Sequence, residues 1–382
     1  MYDLSAFPAE LKKNISSVLG KTVAKPAIIC SKKQIAFNLN YFLKCLSIKA
    51  QQLCFPVKVN NETAILQFLK ELGAGFEISS AGELDLLKNI QADPEKIIFS
   101  NPVKIHEHIR KAYEYGVNTF VFDSESELVK LRQYAPASDV YLRIAVPNKG
   151  AGWKLEHKFG ARPQEACMLM KMAIAGGLRP VGISFHVGWN NTHTETYQAA
   201  MNIAAQVTAA LEEKGIKLSF LNIGGGFPAH GVDQYALLNE ISKKIKPQLA
   251  IFRIKHGMTI IAEPGSAIMA NTAAMITAVT AVITRGKKRW IFLDSSIFQG
   301  FQWIMGGLKY QLVYPYKSAK DATLQPYTIT GGTCDSHDIF AENMMLPETV
   351  KEGDFFLVYP AGAYINSARE YNGFGYAETV AY

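Results

Sequence analysis

The chain has 382 residues, of which 48 % are hydrophobic and 19 % charged, and a formal net charge of +7. That is enough apolar material for a large core and too little charge for a disordered chain, so two domains or one large barrel with an appendage are expected. No Lys/Arg block is long enough for a nucleic-acid arm, the basic turn "RGKKR" at 285–289 included, so nucleic-acid partners are excluded and the modest positive balance favours small anionic ligands.

The first residues, "MYDLSAFPAELKKN", lack the apolar core of a signal peptide. Five scattered cysteines, at 30, 45, 54, 167 and 334, show no CxxC spacing and read as reduced thiols. A cytoplasmic protein is expected. From about residue 35 to 265, short apolar runs alternate with amphipathic ones. The strand candidates are "QLCFPVK", "GFEIS", "IIFSN", "TFVFD", "VYLRIAV", "VGISFHVG", "FLNIGGG" and "TIIAEPG". Between them lie segments of helical spacing, among them "NETAILQFLKELG", "SAGELDLLKNI", "KIHEHIRKAYEYG" and "SESELVKLRQYA". Eight strands with crossovers fit a (β/α)8 TIM barrel better than an open sheet.

The longest uncharged stretch, residues 266–284, has the length of a membrane span. It carries Asn271, follows Pro264-Gly265 and turns β-branched towards its end, so a helix or turn followed by a strand is expected, with no membrane contact. Beyond Thr277 the runs "AVTAVITRG", "RWIFLD", "YTITGGTC" and "DFFLVYPAGAY" predict a separate β domain. The expected division is 1–33 as an N-terminal segment joining the β domain, 34–272 as the barrel, and 273–382 as the β domain.

In such a barrel, chemistry sits where strands end and loops begin. Lys58, Glu77, Asn101, His186, Gly224 to Gly226 and Glu263 all fall at these ends. Lys58 lies in an apolar run that reads as a buried strand, where an ammonium is destabilised and the amine becomes available to condense with a carbonyl. A snorkelling or ion-paired lysine is the plain alternative.

The ordered motifs "PVKVN", "GAGFEISSAGEL", "IIFSNPVK", "FVFDSESEL", "SFHVG", "NIGGGFP", "AEPG", "GGTCDSHD" and "GAYINSAREYNGF" resemble the ornithine/diaminopimelate/arginine decarboxylases that use pyridoxal 5'-phosphate. The likeness runs over roughly residues 25–375. It implies an alanine-racemase-like barrel (fold type III), a C-terminal β domain, and a homodimer with active sites at the subunit interface. By the same resemblance Lys58 carries the cofactor, Glu263 keeps the pyridine nitrogen protonated, and His186 stacks on the ring. Gly224, Gly225, Gly226 and Tyr364 take the phosphate, with Asn366 and Tyr371 nearby. Glu77 stands beside the cofactor or the lysine, or forms an ordinary salt bridge at the barrel mouth. Cys334 is implied to protonate the carbanion in the partner subunit's site, and Asp335 to hold the distal part of the substrate. Read without the resemblance, "GGTCDSHD" is a turn stabilised by Asx bonds, or a weak metal set of Cys334, His337 and Asp338. "GGGFPA" also matches a dinucleotide fingerprint, but Pro228 falls where the helix should begin.

Three positions depart from the pattern. The arginine that follows "EPG" and contacts the phosphate is Ser266, leaving Ser266 with backbone groups, or another basic residue, in its place. The small residue that follows "HVG" is Trp189. The aspartate that holds a distal amine in ornithine decarboxylases falls at Gly307 of "SSIFQGFQWIMGGLKY". Trp189 and Gly307 therefore direct attention away from ornithine. The sequence reads as a pyridoxal-phosphate-dependent α-decarboxylase of a non-standard or modified amino acid, in a polyamine, siderophore or antibiotic pathway. An amino-acid racemase on the same barrel and a catalytically silent regulator are the rival readings.

Overall fold

The computed structural model describes residues 2–19, 26–316, 323–366, 371–373, 375 and 377–382. It forms two compact units, residues 39–267 and residues 1–38 with 268–382. After β1 (Ala27–Cys30), which belongs to the second unit, the chain enters a barrel through β2 (Cys54–Pro56), β3 (Gly75–Ile78), β4 (Ile97–Phe99) and β5 (Thr119–Phe122). It continues through β6 (Asp139–Arg143), β7 (Arg179–Ser184), β8 (Phe220–Asn222) and β9 (Thr259–Ile261). Each of the eight apolar runs overlaps one of these strands, and they pair in parallel in chain order. The ring closes where Cys54 N donates to Ala262 O at 2.9 Å and Ala262 N to Gln52 O at 3.0 Å.

Closure follows from what fills the axis. Cys54, Ile98, Tyr141 and Phe220 come from alternate strands and pack as one layer, with Val121, Val181 and Ile261 from the intervening strands against it. Phe220 has its space because Gly182 has no side chain: a Cβ there would lie 2.5 Å from the phenyl ring. Outside, the helix Thr63–Glu71 buries Ile65, Leu66 and Leu69, and the helix Ala81–Asn89 buries Ala81, Leu84 and Leu87. These three- and four-residue spacings turn one stripe of each helix onto the sheet. Burial of each such Leu or Ile contributes roughly 1.5–3 kcal/mol. The helices therefore hold all eight strands with their C-terminal ends at one rim.

The second unit carries β10 (Ala273–Arg285), β11 (Lys288–Leu293), β12 (Gln311–Val313), β13 (Leu324–Thr330), β14 (Ile339–Pro347), β15 (Phe355–Tyr359) and β16 (Glu378–Ala381). Its path runs β12-β15-β10-β11-β13-β14, with β1 antiparallel to β10 and parallel to β16. The helix Ala9–Val18 sets Leu11, Ile15 and Val18 against Ile29, Ile276 and Leu357. Residues 266–284 form a short helix (Ser266–Met269), a turn (Ala270–Thr272) and most of β10, and among the described residues no helix is long and apolar enough to cross a membrane.

Candidate active site

The rim of the barrel collects the chemistry. Asn101, His186, Gly224 and Glu263 each lie two residues beyond the end of their strands, and Glu77 is in β3 itself. Lys58 likewise lies two residues beyond its strand, but it is not buried in an apolar wall. The strand stops at Pro56 and Lys58 sits in the 3-10 turn Val57–Val59, because Val57 and Val59 take the apolar sites and leave the lysine pointing out of the wall. Its side chain is 46 % exposed and ion-paired with Glu77, which is 2 % exposed. The amine is held by a buried carboxylate rather than by apolar surroundings alone. Glu77 also accepts from Ser79 Oγ at 3.1 Å.

A second carboxylate stands behind this pair. Ser80 caps the helix Ala81–Asn89 by accepting from Glu83 N at 3.3 Å, and the Glu83 carboxylate reaches back to Ser79 N at 2.6 Å. Burial, then the neighbouring Glu77 charge, pushes the Glu83 carboxyl up to about 7. Glu263 is buried and is also raised, by desolvation first and Glu77 second. Its Oε1 accepts from both Ser100 Oγ (2.7 Å) and Asn222 Nδ2 (2.6 Å). Its Oε2 accepts nothing among the described residues. A buried carboxylate with one fully supplied oxygen and one unsupplied oxygen is arranged for a cationic N–H donor.

His186 Nδ1 accepts from Gly188 N at 3.0 Å, which leaves its other nitrogen as the donor. Burial, then the Arg143 and Lys58 charges, holds its pKa well below the usual value, so the ring is neutral. It lies against the glycine run. A Cβ on Gly225 would be 3.3 Å from His186 Nε2 and 2.5 Å from Glu263 O, and one on Gly226 would be 2.1 Å from Gly188 O. Gly224 (φ 65) and Gly226 (φ 86) are in the left-handed region. These residues are glycine because three rim segments meet there at backbone distance. Trp189 Nε1 donates to Ser266 Oγ at 3.2 Å, so two of the three departures from the sequence pattern are in contact.

The remaining candidates lie in the second unit. Cys334 is exposed, with Asn372 Nδ2 3.4 Å from its Sγ. Asp335 accepts from the Tyr371 hydroxyl, from His337 N at 2.8 Å and from His337 Nδ1 at 3.0 Å. The Tyr371 bond, then those of His337, holds its carboxyl down to about 2. Asp338 is spent inside the turn, on Ile297 N, Thr333 N and Thr333 Oγ1. Among the described residues no group of three or more His, Cys, Asp or Glu could hold a metal ion. Tyr364 has φ 61, unusual for a bulky residue, and its carbonyl accepts from Trp303 Nε1 at 3.5 Å. Asn366 is half-buried; residues 367–370 and 374 of the "GAYINSAREYNGF" motif lie outside the described residues. Gly307 ends the 3-10 turn Gln302–Gly306 at φ 88, a conformation that strains an aspartate.

Reading the sequence did not find Ser100, Asn222, Glu83, Arg143, Trp153 or His230. The strand-end rule reaches the first two, since Ser100 follows β4 directly and Asn222 ends β8. Arg143 ends β6, with its guanidinium over the Phe159 ring at 5.1 Å. His230 follows the glycine run with no motif to mark it.

Comparison with known proteins agrees with this geometry. The family model "pyridoxal-dependent decarboxylase, pyridoxal binding domain" matches residues 32–270. A lysine/ornithine decarboxylase of Selenomonas ruminantium is 34 % identical over 95 % of this chain and 91 % of its own length. An antizyme inhibitor 2 of Xenopus laevis is 31 % identical over 84 % of this chain and 73 % of its own. A solved structure, SrLDC in complex with PLP and cadaverine, superposes with a TM-score of 0.86 at 32 % identity, covering 98 % of this chain and 94 % of that one.

Proposed function

This chain belongs to the pyridoxal-dependent decarboxylases and is an amino-acid decarboxylase of the lysine/ornithine/arginine type; from that premise we propose that Lys58 carries the cofactor and that Glu263 governs its ring. The observation that carries the reading is the divided Glu263 carboxylate, whose Oε1 holds Ser100 and Asn222 while Oε2 is left for an N–H donor. Pyridoxal phosphate, when bound, supplies the electron-poor ring that takes up the electron pair freed as the substrate carboxylate departs as carbon dioxide. The residues do the rest. Glu77, ion-paired with Lys58, orients its side chain at the rim and can take the proton that the ammonium must give up before its nitrogen acts as a nucleophile. His186, neutral and pinned through Nδ1, offers a ring face without adding a competing charge. Gly224, Gly225, Gly226 and Ser266 form the phosphate end.

The enzyme works as a cytoplasmic homodimer in which Cys334 and Asp335 complete the site of the other chain. An exposed thiol is suited to hand its proton to Cα after decarboxylation, and Asp335, ionised at any physiological pH, to receive a cationic substrate end. Lys58→Ala and Cys334→Ala dimers are each expected to be nearly inactive. Mixed dimers regain activity, because one of their two sites contains both native residues. No recovery after verified subunit exchange, or an active monomer, contradicts the shared site.

The substrate departs from L-ornithine and is a modified or differently charged amino acid, of the kind met in polyamine, siderophore or antibiotic pathways. Gly307 removes a carboxylate at the expected amine-binding position, and its φ of 88 makes the loss part of the backbone design rather than a simple side-chain exchange. Trp189 adds bulk at the rim. A mass-spectrometric product screen over basic and carboxylated amino acids tests this: kcat/KM for L-ornithine should fall at least about tenfold below the best substrate, the scale of one lost charge partner. Selective turnover of L-ornithine overturns it.

A further inference from the structure

The two departures that meet at the rim, Trp189 and Ser266, explain each other. Trp189 is fixed through its backbone, with its N donating to Trp153 O at 3.0 Å and its O accepting from Gly152 N at 2.8 Å. Its ring packs against Trp153 (centroids 4.6 Å) and His230 (5.1 Å). A Cβ on Gly152 would lie 3.0 Å from the indole, so glycine makes the room. Held there, the indole has one polar atom, and an indole N–H can only donate. Ser266 Oγ must therefore accept at 3.2 Å, and its own proton points elsewhere. Ser266 is 5 % exposed, yet its hydroxyl donates to nothing among the described residues.

His230 repeats the pattern. It is 5 % exposed, and both ring nitrogens are buried without a hydrogen-bond partner among the described residues. Buried polar groups are rarely left so. Its backbone is not loose: Asn190 Oδ1 accepts from Ala229 N (2.8 Å) and His230 N (3.0 Å), while Asn190 Nδ2 donates to His230 O (3.1 Å). Burial lowers its pKa to about 4, so the imidazole is neutral and carries one N–H. Both orphan donors belong to segments tied to the glycine run. Glu263 N donates to Gly224 O at 2.8 Å three residues before Ser266, and Asn191 N donates to Gly226 O at 2.8 Å beside Trp189 and Asn190.

We propose that this chain holds the cofactor phosphate without the arginine, through neutral donors: Trp189 is the positioning residue that fixes Ser266 as a donor, and His230 supplies a further N–H. The assignment rests on the reading of Gly224 to Gly226 and Ser266 as the phosphate end. A phosphate is well served by several convergent N–H and O–H groups in a dry site, as in backbone nests. The indole contributes no contact of its own; it acts through the serine.

The test uses the full-length chain freed of cofactor, titrated with pyridoxal phosphate and, separately, with pyridoxal, which lacks the phosphate. Ser266→Ala and Trp189→Phe should each weaken pyridoxal phosphate about tenfold, the worth of one hydrogen bond to a charged group, and leave pyridoxal unchanged. The double variant should be no weaker than Ser266→Ala within about twofold, since coupled residues are not additive. Ser266→Thr should restore affinity, and His230→Phe should cost about fivefold independently, for pyridoxal phosphate alone. Multiplying losses in the double variant, or equal losses for pyridoxal, overturn the assignment. Because Ser266→Ala removes one oxygen, unchanged affinity in that variant alone also overturns it, whether or not Trp189→Phe folds. Failure of the unaltered chain to bind pyridoxal phosphate defeats the cofactor reading of this site and the assignment with it, and is distinguished by the absence of any difference between the two ligands.

Discussion

Lys58→Arg and Lys58→Ala are both expected to abolish turnover, by on the order of 10⁴-fold or more, the scale of losing a covalent catalyst. The pair of variants separates two duties of the side chain. Glu77 is 2 % exposed and depends on Lys58 for its counter-charge. Removing that partner leaves a buried carboxylate unpaired, which costs up to about 3–5 kcal/mol in a fully buried pair and less here, where Lys58 is half exposed and Ser79 still donates. Lys58→Ala should therefore melt at a lower temperature than the parent. Lys58→Arg keeps the charge but stays protonated and cannot condense with a carbonyl, so its melting temperature should be close to the parent's while its activity is lost as fully. Substantial turnover by Lys58→Arg would remove the lysine from the chemistry and leave it a salt-bridge partner.

Glu263→Gln is expected to lower kcat roughly 10²–10³-fold, the magnitude found when one well-placed electrostatic partner is removed. Cofactor affinity should fall by less than about tenfold, because the phosphate end does not include this residue. The geometry explains the asymmetry. A glutamine can keep its oxygen on Ser100 and Asn222, which both address Oε1. The other terminus becomes an NH2 group that donates where a carboxylate accepted, so a ring nitrogen meeting it is left unprotonated and no longer draws electrons. Absorbance titration gives the affinity and carbon dioxide release gives the rate. A Glu263→Gln enzyme with normal kcat would contradict the role; one that cannot take up cofactor would place Glu263 among the binding residues instead.

The barrel was legible because its strands are apolar runs bounded by turns, and because a rule about strand ends sorts the unusual residues to one rim. That rule reached Glu77, His186, the glycine run and Glu263, and of these the identity of the glycines follows from local backbone needs. It reached Lys58 as well, two residues beyond β2; what the apolar run hid is the exposure of that lysine, because Val57 and Val59 suit a strand or a 3-10 turn and only the turn directs the side chain outward. What the sequence hid are the partners. Ser100 and Asn222 are ordinary polar residues until folding brings them to one oxygen of Glu263, 163 and 41 positions away. His230 is hidden for the opposite reason, since what distinguishes it is that its buried ring nitrogens have no hydrogen-bond partner among the described residues, which only packing reveals. Trp189 and Ser266 were visible as separate oddities 77 positions apart, and their contact turns two losses into one arrangement.

Location of the cofactor on the chain tests the central claim most directly. The purified protein, given pyridoxal phosphate, is reduced with borohydride and digested, and the peptides are mapped by mass spectrometry. A visible absorbance band that bleaches on reduction, with the cofactor mass on the peptide bearing Lys58 and no label in Lys58→Arg, is the predicted result. A label on any other lysine, or a protein that stays colourless and unlabelled, would contradict the account.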